Sequence, residues 1–449
     1  MGGNHYFPLT DRDRSEMLKV IGAGSVEDLF SDIPAAVRFK GELDLPPAMS
    51  EFEVLGHLNA MASKNRHFQN CVSFMGAGIY DHFIPSVIKH VTGRSEFYTS
   101  YTPYQPEVSQ GVLQAIFEYQ TMICQLTGMD VANASMYDGG TALAEGAIMG
   151  CGSTRRSKVL VSRSVSPFYR AVIKNYFHSR GLVLEEIPLR DGCTDRECLE
   201  KMLGDDVATV VLQQPNFFGM VENMSGIADL VHSHKAVFMV SADPISLALL
   251  KTPAEYGADI VVGEGQCLGV PASFGGPVLG IMASREKFVR QMPGRIAGET
   301  ADSEGNRGFV LTLQTREQHI RREKAASNIC SNEALVALAA SVYLAAMGPQ
   351  GMREVAEQCL QKANYARDKI TALKGYSLAF PGINFKEFAV TVPGEPAELN
   401  KKLLDQNILG GVDLGRFYPE LKNTMLFAVT EKRTRDEIDA LVRELEGWK

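Results

Sequence analysis

Short, nearly unbroken apolar runs alternate with stretches of helical period between residues 155 and 262, and that alternation restricts the chain to few architectures. The runs are Val159-Leu160-Val161, Val183-Leu184, Val207 to Leu212, Ala236 to Val240 and Ile260-Val261-Val262. Strands apolar on both faces belong in a mostly parallel sheet covered by helices on either side. The expected class is therefore α/β. Ligands of such sheets sit beyond the carboxyl ends of the strands, which is where Gln213-Gln214-Pro215-Asn216, Asp243 and Gln266 fall.

The flanks differ in texture. Residues 1–70 read as a helical arm, with Thr10-Asp11 and Ser50-Glu51 each supplying a capping hydroxyl before an acidic first turn. Residues 71–330 form the expected large α/β domain. Residues 331–449 read as a small α+β domain: a helical region from Ala334 to Leu373, apolar runs at Phe388 to Val392 and Met425 to Val429, and a closing helix from Thr434 to Trp448.

At 449 residues and 45% apolar content the chain buries an ample core. Its net charge of -8, without a long Lys or Arg block, argues against nucleic acid or an anionic membrane as the partner. The Arg155-Arg156-Ser157-Lys158 cluster reads as a solvated loop. The N-terminus has neither a secretory pattern nor, with Tyr6 where Ser or Thr is wanted, a myristoylation pattern. No unbroken apolar run reaches the roughly 18 residues a membrane span needs. Eight scattered cysteines, without zinc-ligand spacing even at Cys193 and Cys198, fit reduced thiols in a cytoplasm.

Chemistry concentrates in a few segments. Asp243 ends one apolar strand, and Gly263-Glu264-Gly265-Gln266 ends the next, before Pro271 and Gly275-Gly276-Pro277. A strand-end aspartate followed about two dozen residues later by a strand-end lysine is how pyridoxal-phosphate enzymes often grip their cofactor, carboxylate to pyridinium and amine to aldehyde. Here the second position is Gln266, and an amide cannot make that covalent link. Asp138, Gly139, Gly140 and Thr141 open an Ala-rich helix; exposed N–H groups there suit a phosphate, or the helix simply docks closely on a neighbour. Tyr98, Tyr101, Tyr104 and Glu107 share a loop stiffened by Pro103 and Pro106, either preorganised for contact or packed as a surface turn. Thr312 to Lys324 gathers Arg316, His319, Arg321, Arg322 and Lys324, an anion site or a salt-bridged helix.

Phe74-Met75-Gly76-Ala77-Gly78-Ile79-Tyr80, Tyr101 to Gly111, Leu126 to Ser135 and Gln314 to Arg322 are long, uncommon strings. With the segments above, the whole chain resembles the glycine decarboxylase (P-protein) family of the glycine cleavage system, as the first subunit of its two-chain form. The resemblance implies a pyridoxal-phosphate, aspartate-aminotransferase-like fold with the cofactor lysine on subunit 2, where Gln266 stands here. It implies an assembly that binds the glycine amino group through pyridoxal phosphate, releases CO2 and passes the aminomethyl group to the lipoyl arm of the H-protein. The implied assembly is a heterodimer, or a dimer of heterodimers, in a bacterial or archaeal cytoplasm. On that reading Tyr98, Tyr101, Tyr104 and Glu107 position groups in the partner's site. Asp138, Gly139, Gly140, Thr141, Asp243 and Gln266 are then the remnant of this chain's own pocket. The competing readings are a scaffold that stabilises subunit 2 and docks the H-protein, and an enzyme holding the cofactor noncovalently at Asp243.

Overall fold

A computed structural model describes residues 8–325, 327–329 and 331–448, in two compact units, Met1–Asn65 and Arg66–Lys449. In the first, helices Asp11–Ile21 and Glu51–Ala62 begin at full capping boxes: the Thr10 hydroxyl accepts from the Asp13 N–H and the Ser50 hydroxyl from the Glu53 N–H. No residue of either helix is buried.

The second unit is built on a seven-stranded sheet. Its strands are β1 (Val131–Ala132), β2 (Lys158–Ser162), β3 (Val183–Ile187), β4 (Val207–Gln214), β5 (Val237–Ala242), β6 (Ile260–Glu264) and β7 (Gly280–Ser284). The order is β1-β7-β6-β5-β4-β2-β3. Strands β6, β5, β4, β2 and β3 run parallel, and β7 is antiparallel to β6 and to β1. The four inner apolar runs become strands because both sheet faces are covered there: Leu160, Val210, Phe238 and Val261 enter one core, and Val159, Val211, Met239 and Val262 the other, while Val183 on the edge strand β3 stays exposed.

Helix Gly139–Thr154 packs on this second face through small residues. A Cβ at Gly146 would meet the Met239 side chain at 2.6 Å, so the helix axis can approach the sheet only because no side chain is there. Arg156, expected in a solvated loop, instead donates to the carbonyls of Val207 and His234 at 2.7 and 2.8 Å. Lys158 pairs with Glu185 at 2.9 Å. Both side chains thus tie the sheet's amino-terminal rim together.

Beyond the sheet, helix Ala334–Thr371 is broken where Gly348 takes a positive φ before Pro349. Val336, Ala340 and Tyr343 on its apolar first half join the core shared with β4 and β5. The helix is long and apolar enough to pass a membrane-span test by composition, as core helices also do. A four-stranded antiparallel sheet follows, in the order Ser377–Leu378, Glu387–Thr391, Thr424–Ala428, Val412–Asp413. The residues leading into its strand Glu387–Thr391 lie against the segment that follows β4, since Phe385 N–H donates to the Gly219 carbonyl and Val221 N–H to that of Ile383. That contact brings the small sheet to the place where a parallel sheet binds ligands.

Candidate active site

Asp243 directly follows β5. One carboxylate oxygen accepts from the Ser246 N–H at 3.0 Å, and the other lies 2.5 Å from the Lys386 ammonium. Lys386 is 2% exposed and stands immediately before strand Glu387–Thr391 of the small sheet. Its nitrogen sits 3.6 Å from the centre of the Tyr80 ring and 3.3 Å from His82 Nε2. Burial works against the ammonium, but Asp243 outweighs it, and the lysine is held above its ordinary pKa. The chain of contacts continues: His82 Nδ1 lies 2.6 Å from Glu431, which also accepts from the Phe83 N–H. Burial raises the Glu431 carboxyl, yet these donors prevail and bring it down to about 2.

Glu387 is buried beside this pair. It accepts from the Ala77 N–H at 2.6 Å and from the Tyr80 hydroxyl at 2.8 Å, while burial lifts it to about 7. Gln266, after β6, is 1% exposed and fully engaged. Its carbonyl accepts from the Tyr80 N–H at 2.9 Å, and its amide donates to the Tyr80 and Val270 carbonyls at 3.0 and 2.6 Å. The side chain therefore serves as a clamp on the segment that carries Tyr80.

At the other side of the pocket Asp138 caps helix Gly139–Thr154, accepting from Thr141 N–H at 2.8 Å while the Thr141 hydroxyl accepts from Asp138 N–H. Gly139 N–H donates to the Glu264 carboxylate at 3.0 Å, and the other Glu264 oxygen accepts from the N–H groups of Gln266 and Leu279, both at 2.9 Å. Burial pushes Glu264 up to about 7 against those three donors. A Cβ on Gly139 would meet the Tyr169 hydroxyl at 2.5 Å, so the helix start is also closely packed. What remains between Tyr80, Tyr169, Asp243, Glu264 and Lys386 is a cavity of about 40 Å³. An open cleft of about 670 Å³ lies outside it, reaching from Met75 and Asp138 to Arg416.

Of the residues read together from the sequence, Asp243 lines the cavity and Asp138 the outer cleft, while Gly139 and Gln266 reach the cavity wall through their bonds to Glu264 and Tyr80, and Gly140 and Thr141 lie in the helix turn behind Asp138. The tyrosine loop is elsewhere: none of Tyr98, Tyr101, Tyr104 or Glu107 lines the pocket. Tyr98 and Tyr101 are 68% and 82% exposed, and Glu107 is exposed in a one-turn helix, Pro106–Val108. Tyr104 is anchored. Its hydroxyl accepts from the buried Arg295 at 2.9 Å, with Glu317 3.9 Å from the same guanidinium and the His319 ring edge-on to the tyrosine. The 312–324 segment is not one salt-bridged helix. It forms short turns, and Arg321, Arg322 and Lys324 are exposed, with no ion pair among the described residues. Its Arg316 is spent on the main-chain carbonyls of Met292 and Gly294.

Lys386, Glu387, Glu264 and Arg295 are the residues that sequence reasoning left without a role. Glu264 stood inside the segment already singled out, and a carboxylate placed two residues before the expected lysine was the available signal. Lys386 and Arg295 had none, because nothing in their neighbours marks them as buried.

The glycine cleavage system P-protein family model matches residues 4–445. Two curated relatives are each called "Probable glycine dehydrogenase (decarboxylating) subunit 1". That of Moorella thermoacetica is 58% identical over 442 residues, covering 98% of this chain and 99% of its own. That of Anoxybacillus flavithermus is 54% identical, covering 98% of each. Among solved structures, a glycine decarboxylase (P-protein) of the glycine cleavage system in inhibitor-bound form superposes with a TM-score of 0.91 at 44% identity, over 99% of this chain and 100% of that one. A sphingosine-1-phosphate lyase of Burkholderia pseudomallei, at 13% identity and a TM-score of 0.65 over 92% of this chain and 94% of its own, shares the fold alone. The fold is the pyridoxal-phosphate, aspartate-aminotransferase-like one, α/β with a mostly parallel central sheet.

Proposed function

Since the chain belongs to the glycine cleavage system P-protein family, we propose that it is the subunit of a two-chain glycine decarboxylase that does not carry the cofactor and that completes the site of one that does. The observation carrying this reading is Gln266, fully hydrogen-bonded where a covalent amine is required. The surrounding residues do not fit pyridoxal phosphate either, because Asp243 is already paired with Lys386 and only about 40 Å³ is left beside it. That volume suits a water or two. The carboxylate that would take a ring nitrogen and the first helix N–H that would take a phosphate are both already bonded within the chain.

On this reading the cofactor belongs to subunit 2. This chain contributes the exposed hydroxyls of Tyr98 and Tyr101, with Glu107, to orient the glycine carboxylate, exclude water and admit the lipoyl arm of an H-protein. Family membership and the exposure of these side chains support that assignment. We place the assembly in a bacterial cytoplasm, where the seven described cysteines, all unpaired, stay reduced. The test is glycine–bicarbonate exchange by the chain mixed with its second subunit. Substituting Tyr101→Phe and Tyr104→Phe together should lower exchange per complex, and unchanged exchange removes the tyrosines from the site. The anchoring of Tyr104 by Arg295 favours a structural share for that one residue, in keeping with a scaffold. In that case the double variant weakens assembly and leaves turnover intact.

A further inference from the structure

The pocket at Asp243 carries the charge pattern of the ligand it does not hold. A pyridoxal phosphate presents a cationic ring nitrogen to a strand-end carboxylate and an anionic phosphate to the N–H groups of a helix start. Here the cation beside Asp243 is the Lys386 ammonium, 2.5 Å away. The anion at the first N–H of the 16-residue helix Gly139–Thr154 is the Glu264 carboxylate, 3.0 Å away. Both substitutes come from this chain, one from the residue before strand Glu387–Thr391 and one from the end of β6. Each is itself buried or nearly so, and neither is left without a partner.

We propose that Lys386 and Glu264 act as built-in replacements for the two charged ends of the cofactor, and that they, more than the loss of the lysine at position 266, keep pyridoxal phosphate out of this subunit. This rests on the reading that the Asp243 pocket is the chain's own former cofactor site, and it adds which residues close that site. A lysine restored at 266 would face a pocket whose carboxylate and helix N–H are already bound. A cofactor phosphate arriving at Gly139 would have to displace the Glu264 carboxyl from that N–H, and its pyridinium would meet an ammonium. Like charges at such distances repel strongly away from water.

The experiment uses the full chain assembled with its second subunit, incubated with pyridoxal phosphate and reduced with borohydride. The hydride converts any imine to a secondary amine, and peptide mass mapping finds a pyridoxyl group fixed on residue 266. Gln266→Lys alone should remain at background. Gln266→Lys with Lys386→Met and Glu264→Gly should rise to about one pyridoxyl group per chain at that residue. Labelling of Gln266→Lys alone overturns the proposal, since the missing amine would then be the whole obstacle. So does a triple variant that keeps a cooperative thermal transition yet stays unlabelled. Should the triple variant not fold, Gln266→Lys with Glu264→Gln, which keeps the Lys386–Asp243 pair, takes its place: labelling above that of the single variant is expected, and labelling no higher in a folded double variant overturns the proposal. Residue 266 labelling is independent of exchange activity, so failure here leaves the assignment as a completing subunit untouched.

Discussion

Lys386 and Asp243 meet at 2.5 Å although one immediately precedes strand Glu387–Thr391 of the small sheet and the other directly follows β5 of the large one, so an ion pair joins the two sheets across the ligand-binding edge. Such a pair, out of water, is weak evidence of net stabilisation, but removing one partner strands the other. Lys386→Met should therefore cost about 3 kcal/mol or more in the unfolding free energy. Lys386→Met combined with Asp243→Asn should recover most of that loss. Denaturant unfolding of the two variants checks it, and a double variant as unstable as the single would show that the charge is not what matters.

Two carboxyls make stability depend on pH in an unusual direction. Burial holds Glu387 and Glu264 at about 7, above an ordinary 4.5. Each therefore takes up a proton on folding between those values, so the folded state is favoured below the window and loses stability as pH rises through it. The loss is on the order of 3 kcal/mol for each carboxyl. Glu387→Gln cannot titrate and should flatten the curve. Its unfolding free energy should gain on the native chain's from about pH 5 to about pH 8, and parallel curves would count against the shifted carboxyl.

The strands and caps were legible because each is written locally. Val207 to Leu212 is its own evidence of a strand covered on both faces, and Ser50 with Glu53 is its own capping box. The chemistry of the pocket was legible only in part. Asp243 and Gln266 announce themselves by their place after apolar runs, but Lys386 lies between Phe385 and Glu387 at the start of an ordinary strand, where a lysine is normally solvated. What buries it is the docking of residues 383–387 on residues 219–221, a contact between distant segments that no local pattern encodes. The same holds for Arg295, whose partners Tyr104 and Glu317 come from either side of it in sequence and meet only in the fold.

Tyr101 and Tyr104 should separate experimentally. Tyr104→Phe deprives the buried Arg295 of an acceptor and should cost about 1–3 kcal/mol in the stability of the isolated chain. Tyr101, 82% exposed, should cost nothing there. In the assembled enzyme Tyr101→Phe should instead reduce glycine–bicarbonate exchange about tenfold, the size of one hydrogen bond to a reacting group. Equal stability losses in the two variants would refute the distinction between anchor and contact.

Gly219 tests whether the small sheet must sit this close. Its φ is +80°, and a Cβ there would fall within contact distance of the Glu387 carbonyl. Gly219→Ala thus combines backbone strain with a collision against the residue next to Lys386, and something must give. The cheapest movement carries residues 385–387 away from β4 and β5, because the Phe385 N–H bond to Gly219 is what holds them there. That movement would also lengthen the Lys386–Asp243 pair, so the strain and the stranded charges should add to about 3 kcal/mol or more. Amide hydrogen exchange should then accelerate across Phe385 to Thr391 while β4 and β5 keep their protection. Protection lost equally from β4, β5 and the small sheet would show a general loss of folding in place of a local release, and the role given to Gly219 as the spacer of this edge would fall.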